Sequence, residues 1–465
     1  MISRRAFLGS SIAAAASAQT PKPNVVMIYC DDLGYGDVGC YGGRIATPNI
    51  DRMAAEGMRF THWSSANPVC SPSRAALLTG RYPTRVNVPR VLNPFDHEGL
   101  PDGEQTLAQL LKPAGYKTMC VGKWHLGHLP QYLPVNRGFD DYFGIPYSND
   151  MSPKTNPSPA YRRADAPPLP VIRGTKVIEE EPDQRYLTRR YTEESVQFIE
   201  SAKNDPFFLY LPHTMPHSPV FASERFRGKS PLGLYGDVIM ELDWSVGEIL
   251  AALKRNGLDR RTLVMFSSDN GPWFEGSPGR LRGRKGMTWE GGVRVPFIAR
   301  MPGRIPAGRV SDQVGSMMDV FPTVAKLAGL TPEKQPDGID MMPVMSGAVK
   351  ELDREPILYF DGWNIQCVRW KNWKVHLMRW NTDFYNQGKR VSAMLPAPEL
   401  YDLAQDPDES YNMAGDRPEI VKDLVAKATA MISRFPEPVQ KAWAEAKAVE
   451  NWENRPGANP KVTGL

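Results

Sequence analysis

The chain has 465 residues, 41% of them hydrophobic and 23% charged, with a formal net charge of +4. That length supports a large core and more than one structural unit, and the composition is that of a globular protein rather than a disordered or membrane-spanning one. The small positive excess is too little for a nucleic-acid binder, yet it permits a locally basic cleft for an anionic ligand.

The amino terminus, Ser3-Arg4-Arg5-Ala6-Phe7-Leu8-Gly9 followed by a mild apolar stretch and Ala16-Ser17-Ala18, resembles a twin-arginine export signal with a cleavage site after Ala18. Its removal starts the mature chain near Gln19 and deletes two arginines and no acid, lowering the charge from +4 to +2. The expected destination is the periplasm or the exterior. Five cysteines, Cys30, Cys40, Cys70, Cys120 and Cys367, suggest no disulfide framework, and Cys30 and Cys120 lie in apolar runs that predict core positions.

Asn24–Cys30 is a nearly continuous apolar run, the pattern of a buried parallel strand, and it ends abruptly in Asp31-Asp32-Leu33-Gly34. Residues 47–57 predict a helix with Thr47 as cap and Pro48 in its first turn, and 58–69 an extended run leading to Cys70. Pro72 suits a first helical turn, Ser71 its cap and residues 73–78 its body, which places Cys70 where free backbone N–H groups can receive an anion. Residues 104–112 then predict a helix and 116–121 a strand, ending in Gly122-Lys123-Trp124-His125.

The Pro-rich stretch 152–182 has no clear periodicity and predicts a surface excursion. A helix over 191–204 and a strand over 206–211 follow, the strand ending in Pro212-His213-Thr214-Met215-Pro216-His217. A long helix is predicted over 234–256 and a strand over 262–267, ending in Ser268-Asp269-Asn270-Gly271. From Pro356 the pattern changes to short antiparallel strands at 356–360, 365–370 and 373–378, with a turn at Lys371-Asn372. A final helix over 418–435 and a loose end after Asn451 complete the reading.

Alternating helices and apolar strands define an α/β class with a largely parallel sheet. In such sheets ligands bind beyond the carboxyl ends of the strands, so Asp31, Lys123, His217 and Asp269 are expected to converge although distant in sequence. Asp31 and Asp32, with Asp269 and Asn270, offer hard oxygen ligands and no soft one, which suits calcium better than zinc. Either pair alone also fits an ordinary turn; their occurrence at matching strand exits favours one metal site. A zinc pair of His125 and His128 lacks a third ligand nearby in sequence.

An isolated Cys70 would read as a buried structural cysteine. Its context, Cys70-Ser71-Pro72-Ser73-Arg74 followed by Ala75-Ala76-Leu77-Leu78-Thr79-Gly80-Arg81, resembles the signature of type I sulfatases, and residues 115–125 resemble the family's second signature. The resemblance covers nearly the whole mature chain and is nearest to the arylsulfatase A and N-acetylgalactosamine-6-sulfatase branch. It implies an alkaline-phosphatase-like core, a large mostly parallel or mixed sheet flanked by helices, and a smaller carboxyl-terminal antiparallel sheet with a helix. The corresponding division is a signal over 1–18, a catalytic domain over 19–355 and a subdomain over 356–465.

The same resemblance implies that a formylglycine-generating enzyme oxidises Cys70 to an aldehyde. Twin-arginine export carries folded proteins, so that oxidation would precede transport. As a geminal diol, one hydroxyl attacks sulfur and the second expels the sulfate, which a serine could not do. Implied metal ligands are Asp31, Asp32, Asp269, Asn270 and an oxygen of residue 70. Lys123 would bind sulfate, His125 take the remaining diol proton, and Asp269 is a further proton acceptor. Arg74 would orient oxygens with its planar fork. His217 and Lys285 match the leaving-group side, His213 competing with His217, and Ser148 resembles a sulfate-binding serine.

A sulfated glycan ranks above other sulfate esters as substrate, with Trp273, Phe274, Arg280, Arg282 and Arg284 as candidates to stack on and pair with it. The rival readings are a phosphate monoester or diester hydrolase of related fold, and a non-catalytic glycan-binding protein in which Cys70 stays a thiol.

Overall fold

The structure, a computed structural model, describes residues 22–156, 165–380 and 392–447; the expected export signal and loose carboxyl end lie outside the described residues. The strands of the larger unit, in chain order, are β1 (Asn24–Cys30), β2 (Met58–Phe60), β3 (Trp63–Ser64), β4 (Lys117–Lys123), β5 (Asp141–Ile145), β6 (Pro170–Arg173), β7 (Lys176–Glu180), β8 (Phe207–Pro212), β9 (Thr262–Ser268), β10 (Phe297–Arg300), β11 (Arg309–Ser311) and β12 (Gly315–Ser316). Ten of them form one sheet in the order β11-β2-β10-β9-β1-β8-β4-β5-β6-β7, while β3 and β12 pair separately. The middle strands from β9 to β5 run parallel, and β10, β6 and β7 run against their neighbours, so the sheet is mixed at its flanks.

The apolar run of β1 is explained by burial of all seven residues. Val25, Met27 and Tyr29 face one core layer, Val26, Ile28 and Cys30 the other, as a strand's alternation requires. Helices α1 (Pro48–Ala55), α4 (Leu187–Ser201) and α5 (Gly233–Arg255) pack on the second layer. On the first lie α2 (Cys70–Thr79) and α3 (Leu107–Leu111). In α5 the buried positions Ile239, Leu242, Val246, Ile249 and Leu253 recur every three to four residues, the apolar stripe of a helix on a sheet.

The smaller unit is a four-stranded antiparallel sheet, β13 (Ile357–Asp361), β14 (Asn364–Trp370), β15 (Trp373–Trp380) and β16 (Ser392–Asp402), in that order. Leu358 and Phe360 join a core with the two last described helices (Pro418–Ile432 and Glu437–Lys447), whereas Ile357 and Tyr359 face Val293 of the larger unit. Both faces of this sheet are therefore covered.

Three expectations need correction. The stretch 152–182 is not devoid of regular structure: β6 and β7 make a hairpin on the sheet edge, joined through Gly174 at φ 61. The prolines around it hid two short β-branched pairs, Val171-Ile172 and Val177-Ile178. The helix expected over 418–435 is present as Pro418–Ile432, but it is not the final one: a further helix, Glu437–Lys447, follows beyond Phe435-Pro436. Ser71 does not cap α2; the N-cap is Val69, and Ser71 Oγ instead accepts the backbone N–H of Leu92 at 3.1 Å.

Candidate active site

Helix α2 is buried at all ten positions, an unusual placement that its small and apolar residues permit. Gly80 at φ 68 ends it in the left-handed conformation, its N–H bonding to Ala76 O at 2.8 Å. Asn67, which the sequence reading did not single out, holds the entry: its Oδ1 accepts from Val69 N at 3.2 Å and its carbonyl accepts from Ser73 Oγ at 2.6 Å. The only local signal for it is the Asn67-Pro68 pair before Val69-Cys70. Cys70 is thereby the first helical residue, with its Sγ 3.6 Å from Asp31 Oδ1.

Sheet register gathers the rest. Cys30 lies opposite Ser268, so Asp31 and Asp269 leave adjacent strands side by side, and Asp269 N donates to Cys30 O at 3.1 Å. Asp32 turns back at φ 63, a conformation that aspartate tolerates, and its N–H donates to Asp269 Oδ1 at 3.1 Å. Gly122 lies at φ 132 against β8; a Cβ there would sit 1.9 Å from Pro212 O, so only glycine lets β4 deliver Lys123 at its end. Lys123 Nζ then reaches Asp31 Oδ2 at 2.5 Å and Ser148 Oγ at 3.0 Å.

Arg74 grips Asp269 Oδ2 through Nε at 3.1 Å and Nη2 at 2.7 Å, and donates from Nη1 to Lys123 O at 2.9 Å. Lys285 Nζ donates to Asp32 Oδ2 at 2.8 Å, and His217 Nε2 lies 3.7 Å from the same oxygen and 3.4 Å from Ser148 Oγ. All the residues expected to converge do so. His213 does not: it is buried beneath, bonded to Ser245 Oγ at 3.2 Å, which leaves His217 as the histidine at the cluster. His128 packs edge-on against Tyr147, and the metal-ligand group found among the described residues contains neither His125 nor His128.

The charges are held in definite states. Burial raises Asp31, but Lys123, His217, Arg74 and Lys285 outweigh it and keep the carboxyl well below its usual range. Asp269 goes the other way, raised by burial and by the neighbouring Asp31. Burial opposes the Lys285 ammonium, yet Asp32 and the surrounding acids hold it firmly charged. Burial also pushes the Cys70 thiol up, so the unmodified sulfur is a poor nucleophile.

His125 is lowered by burial and by Lys123 and Arg74, hence neutral. Its Nε2 faces the carbonyl of Leu92 at 2.8 Å, which accepts only, so the ring proton is on Nε2 and Nδ1 presents a bare, buried lone pair.

A second acceptor at the site also has no donor. Asn270 gives its Nδ2 to Asp32 Oδ1 at 2.7 Å and to Gly271 O at 2.9 Å, leaving its Oδ1 buried and unpartnered. Buried oxygens without donors are rare, and beside three carboxylates such an atom fits a hard divalent cation. Ligand atoms of Asp31, Asp32, Cys70 and His217 all lie within 4.8 Å of one another, a spacing that one ion can span.

Of the residues expected to meet a sugar, Phe274 is exposed and Arg280 lines a neighbouring cavity of about 820 Å³. None of the cluster's own residues lines that cavity. Arg282 and Arg284 are braces: Arg282 stacks 3.9 Å over Trp289, and Arg284 Nη1 donates to Trp273 O and Gly276 O at 2.8 and 2.7 Å.

An acidic cradle ringed by cations at the carboxyl end of a parallel sheet suits the ester of an oxyanion, and the neutral histidine beside it offers a proton acceptor. Fold and site thus define the class of hydrolases acting on oxyanion esters. Residues 23–330 match the Sulfatase family, and residues 352–463 match the C-terminal region of aryl-sulfatase. The chain belongs to the sulfatase family and is a sulfuric ester hydrolase.

It is 38% identical to N-acetylgalactosamine-6-sulfatase of Canis lupus familiaris over 96% of this chain and 93% of that protein. It is also 38% identical to arylsulfatase A of Homo sapiens, over 88% of each chain. The crystal structure of PsFucS1 sulfatase from Pseudoalteromonas sp. superposes with a TM-score of 0.79 at 31% identity, covering 89% of this chain and 91% of that one. That of Ps i-CgsB in complex with k-i-k-neocarrahexaose gives 0.78 at 30% identity, covering 92% and 98%. Among the described residues no helix is long and apolar enough to cross a membrane.

Proposed function

We propose that this sulfatase cleaves sulfate from a glycan, with formylglycine at position 70 and calcium held by Asp31, Asp32, Asp269 and Asn270. The observation that carries the reading is the placement of Cys70 in one buried group with Asp31, Asp32 and His217, all donor atoms within 4.8 Å. Formylglycine supplies a nucleophilic oxygen where the buried thiol supplies none, and a second hydroxyl for releasing sulfate. Held by these residues, calcium would supply charge withdrawal at the sulfate oxygens.

The side chains divide the remaining work. Lys123 Nζ, poised between Asp31 and Ser148, is placed for a sulfate oxygen that Ser148 Oγ also meets. Arg74 keeps Asp269 oriented. His125 takes a proton at Nδ1, the one ring position left open. Around Asp32, His217 Nε2 and Lys285 Nζ flank Oδ2 and stabilise the departing oxygen, which a sugar alcohol requires because it is a poor leaving group.

Support for a glycan comes from the relatives: one is named for a sulfated amino sugar, and one solved structure holds neocarrahexaose. For the rest of the reading, residues 19–355 form the catalytic domain and 356–465 the subdomain. The formylglycine-generating enzyme acts before twin-arginine export to the periplasm or beyond, a step supported by the Arg4-Arg5 motif.

Matched aryl sulfate and aryl phosphate esters test the chemistry: kcat/KM is expected to favour sulfate, and a much higher value for phosphate overturns it. Defined sulfated mono- and disaccharides then identify the sugar.

A further inference from the structure

Lys285 sits on a loop whose two feet leave the catalytic unit. Arg282 O accepts from Gly291 N at 2.6 Å and closes the loop, while Arg282 Nη1 donates to Glu409 O at 3.1 Å. At the other foot, Glu290 N donates to Glu409 Oε2 at 2.6 Å, and Lys374 Nζ bridges Glu290 and Glu409 at 3.0 and 3.1 Å. The tip is tied to its own unit by Lys285 N to Pro272 O at 3.0 Å and Gly286 N to Pro68 O at 2.8 Å, by Arg284 Nη1 on Trp273 O and Gly276 O, and by Lys285 Nζ on Asp32.

Between the feet runs a buried chain of side chains. Glu409 Oε1 meets His376 Nε2 at 2.7 Å, and His376 Nδ1 meets Cys367 Sγ at 3.1 Å. Cys367 Sγ donates to Thr288 Oγ1 at 3.1 Å, and Thr288 Oγ1 donates to Gln366 Oε1 at 2.9 Å. With both ring nitrogens of His376 protonated, the ring donates to Glu409 on one side and to Cys367 Sγ on the other, and the sulfur and the Thr288 hydroxyl each pass one hydrogen bond onward to Gln366. The geometry is that of a cysteine–histidine–carboxylate triad, but Cys367 and Glu409 are fully buried and the sulfur points its hydrogen at Thr288, so the chain holds rather than reacts.

We infer that the carboxyl-terminal sheet is a positioning element for the leaving-group side of the site, acting through Glu409, His376, Cys367 and Thr288 on the loop that presents Lys285 to Asp32. The inference rests on the reading of Lys285 given above. Lys285 Nζ stands 2.8 Å from Asp32 Oδ2, and misplacement of about 1 Å at such a contact can cost on the order of 100-fold in rate. Thr288 is three residues along the loop from Lys285, close enough to set its register and too far to touch the reacting atoms itself.

The test compares a sulfate of a good leaving group, 4-nitrophenyl sulfate, with a sulfate of an ordinary sugar alcohol, using the active enzyme. Lys285→Ala is expected to lose far more kcat on the sugar sulfate than on the aryl ester. Thr288→Val, nearly the same shape without the hydroxyl, is expected to repeat that bias at smaller size, about 10-fold on the sugar sulfate and under about 3-fold on the aryl ester, with Thr288→Ser restoring both. Cys367→Ala carries the same expectation should Thr288→Val not fold.

Equal losses on both substrates in Thr288→Val or Cys367→Ala, beside a biased loss in Lys285→Ala, overturn the inference and leave the sulfatase reading intact. An unbiased loss in Lys285→Ala strikes the leaving-group role of Lys285 and the inference with it.

Discussion

Two buried charge clusters, one at the strand ends of the large sheet and one joining the large and small units, are wired oppositely. At the strand ends, Asp31, Asp32 and Asp269 meet Arg74, Lys123 and Lys285, yet the atoms left over are acceptors: Asn270 Oδ1 and His125 Nδ1 have no donor, and Asp269 is raised by burial and Asp31. Under the small sheet, Glu290 and Glu409 meet Lys374, Arg369, Arg294 and His376, and the atoms left over are donors, Arg294 Nη2 and Arg369 Nε. Both glutamates are held low: burial raises them, but Lys374, first among the cations, outweighs it. Spare lone pairs call for a cation, and spare N–H groups do not. The first cluster is unfinished without a ligand, whereas the second closes on itself and fastens two units together.

The widest separation is expected at residue 70. Cys70→Ala should lower turnover by at least about 10,000-fold with stability little changed, and Cys70→Ser should stall after one covalent event because it lacks the second oxygen. Steady-state kinetics beside a denaturant titration read both quantities. In the second cluster the weights reverse: Glu290→Gln removes the buried carboxylate partner of Arg369 and Arg294 and leaves Lys374 only Glu409, and it should cost about 3–5 kcal/mol in the same titration.

Asp32→Asn sharpens the contrast further. It should weaken calcium affinity by about 100-fold, read as loss of the thermal shift that calcium produces in the parent protein, while Glu290→Gln leaves that affinity alone. Ser148→Ala removes one hydroxyl facing Lys123 and should lower kcat/KM about 10-fold, close to 1.4 kcal/mol.

Smallest is a pH effect at the rim of the second cluster. His62 is lowered to about 3 by burial and then by Arg294 and Arg369, with its Nδ1 accepting from Arg369 Nη2 at 2.7 Å. The unfolded chain takes up this proton below its ordinary value of 6.5 and the folded chain does not until about 3. Stability from His62 is thus complete above pH 6.5 and declines as pH falls towards 3, by about 1 kcal/mol per pH unit, and His62→Gln should flatten that decline.

The two clusters also differ in how far the sequence discloses them. Strands β1, β8 and β9 are legible because uninterrupted apolar runs end in charged residues, and the rule that ligands sit at such ends brings Asp31, Lys123, His217 and Asp269 together before any coordinates. Local composition misleads where prolines crowd: Pro396 and Pro398 argue against the strand β16, which tolerates them because it lies at the edge of its sheet. The second cluster has no local signature. Thr288, Cys367, His376 and Glu409 are separated by loops and turns of ordinary composition, and only sheet pairing, with Cys367 opposite His376, brings them into contact. Arg282 and Arg284 show the same limit, since a basic loop beside a cleft reads alike whether it awaits a ligand or braces its own chain.

The central claim, that the strand-end cluster works with an aldehyde and not a thiol at residue 70, is tested most directly by peptide mass spectrometry of the active, exported enzyme. The peptide containing residue 70 is expected to lack the cysteine sulfur and to carry an aldehyde that a hydrazide reagent captures. Full activity with only unmodified Cys70 in that peptide would contradict the account.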